Sequence, residues 1–248
     1  MIPNPILKVL STLRSRNVKN LLMGGQACVF YGAVEFSRDT DIVILADSAN
    51  LKRLASAIGD LEAKVIAVPP FEGKYLTRGH AVHFRCSHPD VDGMRIDVMS
   101  VLRNVDSFEK LWERRTTIET EDQGSYDLMS LPDLVQAKKT QRDKDWPMIR
   151  RLVEANYFEF REKPGSEHID FWFKESRTPE ILIEISKKHP RAMRKVSRLR
   201  PLLKYASAAM LENLSESLHE EETAERKVDM EYWKPLKDEL EKLRRRKI

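Results

Sequence analysis

The stretch that most restricts the fold is residues 18–45. Val18 to Met23 is a short apolar run that stops at Gly24-Gly25. Such a run bounded by turn residues predicts a strand. Gln26 to Tyr31 then reads as a short helix with Gly32 as its stop, and Asp39 to Leu45 reads as a second strand. In Ser37-Arg38-Asp39-Thr40-Asp41-Ile42-Val43-Ile44 the acids stand two apart. Strand side chains alternate between faces, so Asp39 and Asp41 leave one face while Ile42 and Ile44 enter the core from the other. A charge in mid-strand is costly unless it is paired or holds a metal. The fold must therefore supply a partner for two adjacent carboxylates.

A third carboxylate obeys the same rule. In Met94-Arg95-Ile96-Asp97-Val98, Ile96 and Val98 point one way and Asp97 the other. Ala81 to Cys86 and Met94 to Val98 are separated by the turn-rich His88-Pro89-Asp90-Val91-Asp92-Gly93, which predicts an antiparallel hairpin. Three carboxylates on neighbouring strands make a hard, all-oxygen donor set suited to Mg²⁺. Upstream, the two glycines let the backbone approach a phosphate closely, and a following helix offers free N–H groups.

The remaining elements follow from periodicity and caps. Asn4-Pro5 opens a helix carrying Ile6, Val9, Leu10 and Leu13. Ser48 is read as the cap of a helix with Leu51, Leu54, Ile58 and Leu61, and Lys64 to Val68 as a third strand. Asp106 is read as the cap of a helix reaching Arg115. Helices open at Ser130-Leu131-Pro132-Asp133 and at Asp145-Trp146-Pro147, and Arg177 to Met210 and Glu212 to Arg246 read as long helices. The expected fold is α/β: a small mixed sheet flanked by helices over residues 1–125, then a helical region over 126–248.

Composition excludes several classes. No apolar run approaches the ~20 residues of a membrane helix. The start of the chain lacks the pattern of a secretory signal, and the two cysteines, Cys28 and Cys86, set no disulfide framework, so a cytoplasmic setting is expected. Charge is uneven: residues 1–130 carry a net −1 and residues 131–248 a net +5, so the halves are expected to do different jobs.

The ordered set Gly24-Gly25-Gln26-Ala27, Gly32, Ser37-Arg38-Asp39-Thr40-Asp41-Ile42 and later Asp97 resembles the nucleotidyltransferase superfamily of the DNA polymerase β type. The wording is closest to its small bacterial branch of AbiEii-type toxins and related nucleotidyltransferases. Leu134-Val135-Gln136-Ala137-Lys138-Lys139 and Arg142-Asp143-Lys144-Asp145 are similar to the helical stretch that follows the catalytic domain there. The resemblance covers roughly residues 18–150, and Thr40 stands where the family usually has an apolar residue. It implies Asp39, Asp41 and Asp97 as catalytic residues and ligands of two Mg²⁺ ions. Gly24-Gly25 would hold the triphosphate of an NTP, and Asp97 would ligate the metal that activates an acceptor hydroxyl. Ser37, Arg38, Lys139 and Lys144 are candidate nucleotide contacts. The implied reaction is transfer of an NMP to RNA, a protein or a small molecule with release of pyrophosphate. A toxin–antitoxin setting, with a cognate antitoxin as partner, goes with that branch. The alternative is a non-catalytic nucleic-acid or partner-binding protein on the same fold.

Other features have plainer readings. His80, His83, Cys86 and His88 have zinc-ligand chemistry, but strand alternation sends His80 and His83 to opposite faces, and likewise His83 and Cys86. One face of that strand must look toward Asp97, which makes His83 or Arg85 a neighbour of the site. From Lys187 to Lys204 there are eight Lys and Arg and no acid. Such a stripe can bind nucleic acid. A solvated face paired with Glu212, Glu216, Glu220, Glu221 and Glu222 is the competing expectation.

Overall fold

The computed structural model describes residues 4–33, 39–120 and 124–245. In chain order the elements are α1 (Asn4–Ser15), β1 (Asn20–Met23), α2 (Gly24–Phe30), β2 (Thr40–Ile44), α3 (Ser48–Asp60), β3 (Lys64–Val65), α4 (Gly73–Leu76), β4 (Val82–Arg85) and β5 (Arg95–Met99). Then come α5 (Phe108–Glu113), β6 (Thr116–Thr120), β7 (Gly124–Leu128), α6 (Leu131–Ala137) and α7 (Asp145–Phe160). The chain continues with α8 (Ser166–Glu175), α9 (Pro179–Lys188), α10 (Pro190–Val196), α11 (Leu203–Ser207) and α12 (Leu211–Arg245). A 3-10 turn spans Pro89–Val91.

The described residues group into two compact units. One takes residues 4–30, 39–137 and 232–245; the other takes 31–33 and 138–231. Helix α12 thus contributes its first part to the second unit and its last part to the first.

The first unit is built on a seven-stranded mixed sheet of order β3-β4-β5-β2-β1-β7-β6. β1 runs antiparallel to β2 and parallel to β7, and β2 runs parallel to β5. The central strands are apolar because both their faces are covered: Leu21, Leu22, Ile42, Val43, Ile44, Ile96 and Val98 are all buried. α1 places Ile6, Val9, Leu10 and Leu13 in this core, at the spacing its sequence shows. Asn50 on α3 is wholly buried and ties two strand ends together. Its amide donates to the Lys19 and Leu45 carbonyls and accepts from Lys19 N–H.

Several boundaries differ from expectation. The cap of α3 is Asp47, whose carboxylate accepts the Asn50 N–H at 2.6 Å, so Ser48 is already inside the helix. Ser107 stands at the N-cap position of α5, and Asp106 instead pairs with Arg114. β3 stops at Val65 because it is an edge strand bonded only to β4, with both residues exposed. The hairpin β6–β7 was not expected, and β7 carries the sheet past residue 125, where the helical region was expected to begin. Its pairing with β1 explains it: Leu128 sits opposite Leu22, and Met129 N–H bonds the Leu22 carbonyl at 3.0 Å.

The second unit is helical. Trp172, Phe173, Tyr157, Leu182 and Ile185 form its core. The expected long helix over 177–210 is divided into α9, α10 and α11. Pro190 and Pro201 lack the N–H that a continuing helix needs, and each falls at or near a break.

Candidate active site

Strand register builds a row across the sheet. Met23 on β1 is opposite Asp41 on β2, Asp41 is opposite Asp97 on β5, and Asp97 is opposite His83 on β4. Register partners project from the same face of a sheet, so Asp41, Asp97 and His83 stand side by side. Thr40 and Ile42, the neighbours of Asp41, are wholly buried on the opposite face. That burial fixes the register and so fixes which way the carboxylate points.

Gly24 closes the end of the row. Its φ is +66°, a left-handed conformation that favours glycine. A Cβ built there would fall on the Asp41 carboxylate. The backbone can pass so close to Asp41 only because position 24 has no side chain.

Asp97 is held from two sides. Nδ1 of His83 lies 2.8 Å from its Oδ1. An ionised carboxylate only accepts, so Nδ1 carries the hydrogen and donates. Arg95, two residues earlier on the same face of β5, donates from Nε to Oδ1 at 3.2 Å and from Nη2 to Oδ2 at 2.8 Å. Burial opposes the ionisation of Asp97, but the His83 and Arg95 bonds outweigh it and hold the carboxyl below its ordinary value. Arg95 is in turn desolvated, yet Asp97, Asp39 and Asp41 together hold its pKa above the ordinary value. The guanidinium therefore sits in the field of all three acids.

The donor chemistry of Asp39, Asp41 and Asp97 fits a hard divalent ion. Among the described residues, however, no three His, Cys, Asp or Glu side chains are grouped to enclose one. Both oxygens of Asp97 are engaged by cationic or donor groups of the chain itself.

Other expected site residues fall elsewhere. Gly25 follows Gly24 in the first turn of α2, which begins two residues earlier than expected. Just beyond it, Gln26 is fully buried, with neither side-chain amide atom bonded among the described residues. Ser37 and Arg38 lie outside the described residues. Lys139, in the second unit, is buried and paired with Glu175 at 2.7 Å. Lys144 is exposed at the start of α7. The four zinc-type residues do not converge. His80 bonds Glu239, His83 bonds Asp97, and Cys86 is buried, with burial pushing its thiol up to about 11. Arg85 is exposed opposite Arg95.

The residue that sequence reading missed is Arg95. Its signal was present: a cation two positions before Asp97 shares its strand face. Comparison with family models and with curated proteins finds no match.

Proposed function

We propose that this chain is a Mg²⁺-dependent nucleotidyltransferase that moves an NMP from an NTP to an acceptor hydroxyl and releases pyrophosphate. One observation carries the reading: Asp41 and Asp97 are register partners on parallel strands, with the side-chain-free backbone of Gly24 against Asp41. Asp39, Asp41 and Asp97 would hold the metal, and Gly24-Gly25 would receive the triphosphate. Magnesium bound there would supply a lowered pKa for the attacking hydroxyl and positive charge for the departing pyrophosphate. His83 fixes the orientation of the Asp97 carboxylate through its Nδ1 hydrogen and helps keep it ionised. Gly24 keeps space open beside Asp41 that any other residue would fill.

RNA is the favoured acceptor, over a protein or small molecule, because residues 131–248 carry a net charge of +5. A toxin–antitoxin setting remains part of this reading.

One observation favours a second reading, a non-catalytic binding module on the same fold. Arg95 already neutralises Asp97. Incubation with each labelled NTP, Mg²⁺ and total cellular RNA or extract separates the two. Label transferred by the wild-type chain and not by a folded Asp41→Ala variant supports the enzyme. No transfer from any NTP supports the binding module.

A further inference from the structure

We propose that Arg95 is an exchangeable counter-ion. It holds Asp97 while the carboxylates lack a metal, and it must release Asp97 before a divalent cation can load. This inference rests on the metal site proposed above and adds a positioning residue to it.

The geometry carries the argument. Arg95 grips Asp97 with two parallel N–H bonds, the strongest arrangement a guanidinium makes with a carboxylate. His83 takes a third acceptor position, on Oδ1. A carboxylate offers about four lone-pair sites, so only one direction on Oδ2 is left. Asp97 is thus nearly saturated by groups of its own chain.

Charge leads to the same conclusion. Asp97, Asp39 and Asp41 all act on the Arg95 guanidinium, which offsets part of their negative charge. Arginine does not lose its proton in proteins, so it cannot make way by neutralising. A divalent ion entering beside it meets a like charge. The side chain of Arg95 is 38% exposed while that of Asp97 is 16% exposed, so the arginine can swing toward solvent and the aspartate cannot. A triphosphate arriving at Gly24-Gly25 would offer the freed guanidinium a new anion to fork onto. Metal loading would then be coupled to nucleotide binding.

The test measures metal binding directly. Free Mn²⁺ is followed by its paramagnetic resonance signal as the ion is titrated into wild type, Arg95→Met, Arg95→Lys and Asp41→Asn, with circular dichroism confirming each fold. Arg95→Met should bind Mn²⁺ roughly tenfold more tightly than wild type, a coupling of ordinary size for linked sites. Arg95→Lys keeps the charge but loses the fork, so its affinity should fall between the two. Asp41→Asn should bind little or none. If Arg95→Met binds no more tightly than wild type while Asp41→Asn loses binding, the counter-ion is overturned and the metal site stands. If no variant binds at millimolar Mn²⁺, both fail. Should Arg95→Met not fold, the Arg95 Nε–H resonance of wild type gives a second reading. It should shift or broaden on adding Mg²⁺, and an unchanged resonance at saturating Mg²⁺ overturns the proposal.

Discussion

Gly24 and Asp41 constrain each other, so substitution of either should cost transfer, while only that of Gly24 should also cost stability. Gly24→Ala must hold a left-handed φ and place its methyl on the Asp41 carboxylate. The left-handed backbone alone costs roughly 1–2 kcal/mol, and the clash adds to it. We expect a lower denaturant midpoint together with loss of NMP transfer; a midpoint equal to wild type would show that the backbone relaxes freely. Asp41→Ala removes a proposed metal ligand and a charge but no core contact. Transfer should fall by at least about 10²-fold with the chain still folded, and Asp41→Asn should do nearly as badly. Residues acting as a unit are non-additive, so Asp39→Ala with Asp41→Ala should be hardly worse than either alone. A folded Asp41→Ala with wild-type kcat/KM would remove this site from the mechanism. That Asp41 and Asp97 each stand on the face opposite their apolar neighbours was legible because alternation is local, whereas Asp39, read as part of the same strand, stands just before β2. The role of Lys139 was not legible: its pairing with buried-side Glu175 depends on a helix 36 positions further along the chain.

At the scale of elements, the end of α12 docks on the segment between α4 and β4. Tyr232 comes up against Gly79, Leu236 is buried, and Glu239 takes a bond from His80 Nε2 and another from Arg78, each at 2.8 Å. The His80 bond, with help from Arg78, holds the Glu239 carboxyl below its ordinary value despite some desolvation. A depressed carboxylate contributes stability that is whole above its unfolded pKa and is lost as pH falls through the folded one. Wild type should therefore lose stability more steeply than Glu239→Gln below about pH 4.3, the usual value for glutamate. Urea midpoints against pH check this, and parallel curves for the two proteins would refute it. The hairpin β6–β7 teaches the complementary lesson. Thr116-Thr117-Ile118 has strand chemistry, but what makes it a strand is its pairing with β7, which itself lies beside β1, about a hundred residues earlier in the chain.

At the scale of the whole molecule, the basic stripe sorts itself by burial. Arg200 is buried and structural, bonding the carbonyls of Phe173 and Ser176 and the carboxylate of Glu221. Lys188 pairs with Glu184, and Lys195 with Asp170. Lys187, Arg191, Arg194 and Arg198 are exposed and have no ion pair among the described residues. With RNA as acceptor, log affinity should fall linearly with log salt. Replacing Arg191, Arg194, Lys195 and Arg198 with Gln should reduce that slope by roughly 3, at about 0.7 per phosphate contact for a single strand. Filter binding across a salt series measures it, and a slope unchanged by the four substitutions would make the patch an ordinary solvated surface. The sequence by itself determined the alternation that puts carboxylates on one strand face and isoleucines on the other. It also determined the change from strand to helix at Gly24-Gly25 and the helix openings at Asn4-Pro5, Leu131 and Asp145, because each depends on residues within a few positions of one another. Tertiary structure decided the order of the seven strands and the row that joins Asp41, Asp97 and His83. Both depend on register between distant segments, which is set by the faces they bury together.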